Sequence, residues 1–170
     1  QVKKALKSHL INCLAIKLWN YGDYSIVLTE KIFDWLILNL SGSEDINLYI
    51  DENGVAYVIG SDYGNGGAIM LDVDTDPMNP MELGVFDTYY LHDAMARGDT
   101  LWGGAIYNGF FVAADVSDKN APTLLATQNT PSNFTHNCWI SDDGNYLYTT
   151  DEKTNAYIGA YDVSDIANIT

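Results

Sequence analysis

From residue 45 onward, apolar residues come in short runs that break at turn-forming clusters, with no helical period. NLYI stops at DENG, VAYVIG stops at a Gly-rich stretch, AIMLDV stops at a loop rich in Asp, Asn and Pro, and MELGVF follows. Runs rich in Val, Ile, Leu and Tyr between such breaks predict β-strands. Asp and Asn tolerate left-handed backbone angles and Gly adopts them freely, so DENG and DDGN predict tight hairpins. Pro77, Pro80 and Pro122 stand where the chain leaves a third run, where a missing N–H removes no ladder bond.

The pattern then repeats. DAMA, TLWGGAI, FFVAADV and PTLLAT form a second series, and NCWI, YLYTTD and AYIGAYDV a third. Asp72, Asp115 and Asp162 close the third runs at spacings of 43 and 47. The turn glycines Gly54, Gly98 and Gly144 recur at 44 and 46. Asn47, Asp93 and Asn137 head the first runs; His92 and His136 immediately precede two of them, and Ile46 stands in the histidine's place in the first copy. A period of about 45 residues with four short strands per copy predicts an all-β fold of β-propeller blades, each a four-stranded antiparallel sheet. The expected division is an N-terminal segment 1–15, a degraded or partial blade 16–44, blades 45–88 and 89–131, and a blade 132–170 without its last strand. In residues 16–44, IKLWNYGDYSIVLTE and FDWLILNLS imitate the repeat, but Gly22 lies only 32 residues before Gly54.

The third-run motifs IMLDVDTDPMNP, VAADVSDKNAP and GAYDVSDIAN resemble the repeat named after its Leu-Val-Ile-Val-Asp core. INLYIDENGVAYVIGS and THNCWISDDGNYLYTTDE are similar to the same LVIVD-repeat family, whose relatives include the bacterial surface proteins called choice-of-anchor B proteins. The resemblance covers residues 45–170. It implies a propeller exported to the cell surface or beyond, with more blades than this chain supplies, so that the chain would be part of a larger ring. It implies place and shape rather than a reaction.

Charge narrows the partners. Eight basic against 23 acidic residues give a net charge of −15, which repels nucleic acid and argues against anionic membranes while favouring cations. No apolar run is long enough to span a bilayer. Residues 1–20 differ, with Lys3, Lys4, Lys7, Lys17 and no acid; Leu6, Leu10, Leu14 and Leu18 allow a short amphipathic helix there. Cys13 and Cys138 lack metal spacing and are read as unpaired thiols.

Three groups of residues could carry chemistry. If His92 and His136 head the channel-lining strands of adjacent blades, then with Asp93 and Asn137 they could hold a metal such as zinc; equally, such residues could hydrogen-bond neighbouring strands and fix blade packing. Asp72, Asp74 and Asp76 alternate as calcium ligands do, but Pro77 and Leu83 occupy the positions where an EF-hand needs Gly and Glu, and capping of a turn is the other reading. Tyr63, Tyr89, Tyr90, Tyr107, Phe110 and Trp102 could form an exposed face for a partner protein or a surface polysaccharide, or fill blade interfaces. No G-x-S-x-G, H-E-x-x-H or P-loop is present. The expectation is therefore a non-enzymatic extracellular or cell-surface module, with no cofactor beyond a bound calcium or zinc and a place within an assembly. A metal-dependent enzyme built on His92 and His136, and a calcium-stabilised adhesin, are the alternatives.

Overall fold

The computed structural model describes residues 46–76 and 79–170. The expected segments 1–15 and 16–44, with Cys13, and Pro77 lie outside the described residues. Among the described residues, eleven strands form three antiparallel sheets. The first sheet contains β1 (Asn47–Ile50), β2 (Val55–Ile59), β3 (Ala68–Asp72) and β4 (Met81–Phe86), in that order. The second repeats it with β5 (Asp93–Arg97), β6 (Thr100–Ala105), β7 (Phe110–Asp115) and β8 (Thr123–Asn129). The third has β9 (Thr135–Ile140), β10 (Tyr146–Asp151) and β11 (Ile158–Asp162), followed by a 3-10 turn at Ile166–Asn168. The described sheets form an open series with no closure between the first and the third.

The turns follow from local chemistry. Gly54, Gly98 and Gly144 each join a first strand to a second with φ of 73°, 55° and 74°, a region that costs a residue with a Cβ of order 1 kcal/mol. In the first copy the Asp51 carboxylate accepts from the N–H groups of Asn53 and Val55 (both 2.9 Å) and from the Tyr57 hydroxyl (3.1 Å). A register shift sits at Met70/Leu71 in the first sheet and at Ala113/Ala114 in the second, which is the same place in the repeat. Such bulges sharpen twist locally.

Core formation follows the period-2 alternation of strands. Tyr57, Ile59, Met70 and Val55 of the first sheet pack against Ala94, Ala96, Leu101, Val112 and Ala114 of the second. The opposite face of the second sheet, with Met95, Trp102, Phe111 and Ala113, packs against Cys138, Ile140, Leu147 and Val163 of the third. Each such large side chain contributes about 1.5–3 kcal/mol when fully buried. The first strands of neighbouring sheets lie side by side, β1 with β5 and β5 with β9. Ala56, Val58, Ile69 and Leu71, on the first sheet's other face, are also buried. Continuous apolar runs such as VAYVI therefore mark sheets covered on both faces, whereas YLYTTD in β10 alternates because only one face is covered.

Candidate functional site

His92 stands just before β5. Its N–H donates to the Gly104 carbonyl (2.8 Å), and its own carbonyl accepts from the Asn47 side chain (3.0 Å), so its backbone is held from two directions. His136 is the second residue of β9. β9 crosses β6 closely: a Cβ on Gly104 would lie 2.8 Å from the Thr135 carbonyl oxygen and 3.0 Å from that of His136. That approach brings the two histidines together, with ring centroids 4.5 Å apart and planes inclined by 44°. Glu152 follows β10, and its N–H donates to the Phe134 carbonyl (3.0 Å), which anchors it beside the entry to β9. One ligand atom from each of His92, His136 and Glu152 lies within 4.8 Å of the other two. Both histidines are half-buried and Glu152 is exposed. The Nδ1 atom of His92 is buried and has no hydrogen-bond partner among the described residues.

Asp93 and Asn137 do not join this cluster. The Asn137 amide donates to the Asp93 carboxylate, tying β9 to β5. Adjacent residues on extended backbone point to opposite sides, so the histidines and the Asp–Asn pair make two separate contacts between the same strands. Asn47, in the equivalent place, reaches from the first sheet to the second through the His92 carbonyl.

Asp72 accepts from the N–H groups of Asp74 (3.0 Å) and Thr75 (2.9 Å) through one oxygen. Asp115 accepts from the Ser117 N–H (2.8 Å), and Asp162 from the Ser164 N–H (3.0 Å) and hydroxyl (2.6 Å). The hydroxyls of Thr75, Ser117 and Ser164, followed by their backbone N–H groups, hold these three carboxyls below the usual range. The aspartates thus cap the turn that leaves each third strand. Asp74 is exposed, and Asp76 accepts from the Asn79 side chain (2.8 Å). Among the described residues, Asp72, Asp74 and Asp76 form no metal-holding cluster.

The aromatic residues separate into two kinds. Tyr63 and Tyr107 are exposed, Tyr90 lies against Tyr107 with centroids 5.1 Å apart, and Tyr89 packs edge-on against Phe110 at the same distance. Of the two readings for Trp102, the structure supports the interface: it is buried between the second and third sheets, because the alternation of β6 turns it inward. The sequence reading missed a different surface. Trp139, Tyr146, Tyr148 and Ile158 are exposed on the side of the third sheet that faces away from the second. Their signal was present in the alternation of β10. Glu152 is a further residue of the cluster that the sequence does not single out, since nothing in its spacing links it to His92.

A cleft of about 230 Å³ opens between the second and third sheets beside Arg97, Trp102, Ile140, Val163 and Ile166. The Arg97 guanidinium is engaged there, donating to the carbonyls of Ile140 (3.4 Å) and Ser141 and lying 3.5 Å from the Asp142 carboxylate. It joins the two sheets.

No protein-family model matches the chain, and no curated protein matches it significantly. A crystal structure of a protein from Lactobacillus plantarum is similar, with a TM-score of 0.57 at 15% identity over 77% of this chain and 41% of that one. At this identity the likeness concerns fold alone. The chain spans about two-fifths of that protein's length.

Proposed function

We propose that this chain is part of a non-enzymatic β-propeller of the LVIVD-repeat kind, working at a bacterial cell surface or outside the cell as an interaction or structural module. One observation carries the reading. Tyr57, Trp102 and Tyr148 hold the same place in three successive sheets, each opposite a first-strand side chain: Tyr49, Met95 and Trp139. The first two are buried by the next sheet. Sheets that stack face to face with equivalent residues in phase behave as successive blades. Stacked sheets hold their connecting loops rigidly, and exposed loop tyrosines such as Tyr63 and Tyr107 supply contact area for a protein or a surface polysaccharide. Among the described residues, no helix is long and apolar enough to cross a membrane.

Binding to extracted bacterial surface polysaccharide and to purified secreted proteins is the test, with Tyr63→Ala and Tyr107→Ala as variants. Affinity reduced about tenfold or more by these variants, with melting unchanged, is expected. Turnover of simple ester, lactone, phosphoester or glycoside substrates that His136→Ala abolishes would replace this reading with an enzymatic one.

A further inference from the structure

We infer that His92, His136 and Glu152 form a transition-metal site of the zinc type, which clamps the second sheet to the third. The donor set is two imidazole nitrogens and one carboxylate oxygen. That combination suits zinc with a fourth position left to water, whereas calcium takes an all-oxygen shell. Metal–ligand bonds of about 2.0–2.2 Å in a tetrahedral array place ligand atoms about 3.3–3.5 Å apart. The three ligand atoms already lie within 4.8 Å, so the cluster closes by an inward movement on the order of 1 Å. The exposed Glu152 side chain is free to supply most of it.

Two further features support a ligand here. The His92 ring carries a buried nitrogen with unmet bonding capacity, and buried polar atoms in native folds rarely stay so. The backbones of all three residues are anchored independently: His92 through Gly104 and Asn47, His136 by its place in β9, and Glu152 through Phe134. Pre-set positions lower the ordering cost of binding. A net charge of −15 raises the local concentration of cations. Ile46 occupies the histidine's place in the first copy, so the first and second sheets lack an equivalent clamp.

The test uses the chain without a polyhistidine tag, stripped with chelator and titrated near neutral pH. Zinc is followed by calorimetry and cobalt(II) by its visible absorption. One equivalent of each ion and a higher melting temperature with zinc are expected. Glu152→Gln, a change at an exposed side chain, should weaken binding about tenfold or more and alter the cobalt spectrum. His136→Ala should abolish binding while far-ultraviolet dichroism stays unchanged. His9→Ala, which removes the remaining histidine, should leave it intact. The site is overturned if neither ion binds at about 100 µM, a dissociation constant worth only about 5–6 kcal/mol. Binding that survives both Glu152→Gln and His136→Ala, or that His9→Ala removes, overturns it as well.

Discussion

Trp102 and Tyr148 hold one position in two successive sheets and have opposite surroundings. Both are aromatic, both sit in a second strand, and each pairs with a first-strand side chain, Met95 or Trp139. Trp102 is 4% exposed and Tyr148 46%. The side chains do not cause this difference. The third sheet covers Trp102, and no described sheet covers Tyr148. The comparison shows that burial in this fold belongs to the junction between sheets and not to the single sheet, as expected where each repeat cannot hide its apolar face alone.

The sharpest way to break the comparison is to truncate both residues. Trp102→Ala should cost about 3–5 kcal/mol, by transfer and cavity terms together. Tyr148→Ala should stay within about 1 kcal/mol, because solvent already reaches the ring. Denaturant midpoints for the two variants decide the matter, and equal losses would mean that the outer face of the third sheet is covered in solution.

A smaller effect should separate Gly104 from Thr150, its counterpart in β10. A methyl on Gly104 would press on the Thr135 and His136 carbonyls, so Gly104→Ala should cost about 1–3 kcal/mol. Thr150 is exposed, and Thr150→Ala should change stability by no more than about 0.5 kcal/mol. Thermal melts that rank the two the other way would show that the close approach of β9 is not a constraint.

The smallest effect concerns what the three repeats share. Asp72, Asp115 and Asp162 have folded-state pKa values below their unfolded ones. Their contribution is therefore complete above the ordinary carboxyl value of about 3.9 and is lost as pH falls through the depressed values. Replacing each by Asn in turn should lower stability slightly at neutral pH, where the carboxylate contribution is complete, and leave low pH almost unchanged, so that the acid limb of the stability–pH curve flattens. A third-sheet variant, Asp162→Asn, that behaved unlike the other two would show that the turns are not equivalent.

Much of the sheet pattern could be read from the sequence because turn and strand chemistry is local. The glycines that need positive φ and the aspartates that cap the next turn act within a few residues of themselves, so their spacing survives in the sequence as a period. The site was only half legible. The 44-residue spacing of His92 and His136 put them at equivalent heights on neighbouring strands, and their rings do meet. The same spacing holds for Asp93 and Asn137, yet side-chain alternation sends that pair elsewhere. Glu152 reaches the cluster through a hairpin return, a contact that no single-copy spacing records. For Trp102 the sequence leaves an exposed face and a blade interface both open, because what covers it comes from the next sheet; Gly103 beside it makes room for the Leu91 side chain and Gly104 for the Thr135 and His136 carbonyls.

Cys138 carries a consequence of this layered burial. Its thiol lies in the seam between the second and third sheets, among Met95, Trp102 and Ile140, and burial, helped by the Asp93 charge, pushes its pKa upward. It stays an unreactive thiol as long as the seam is shut. The sulfur is thus a natural gauge of breathing at that seam, since a thiol reagent can reach it only during the brief intervals in which the two layers part.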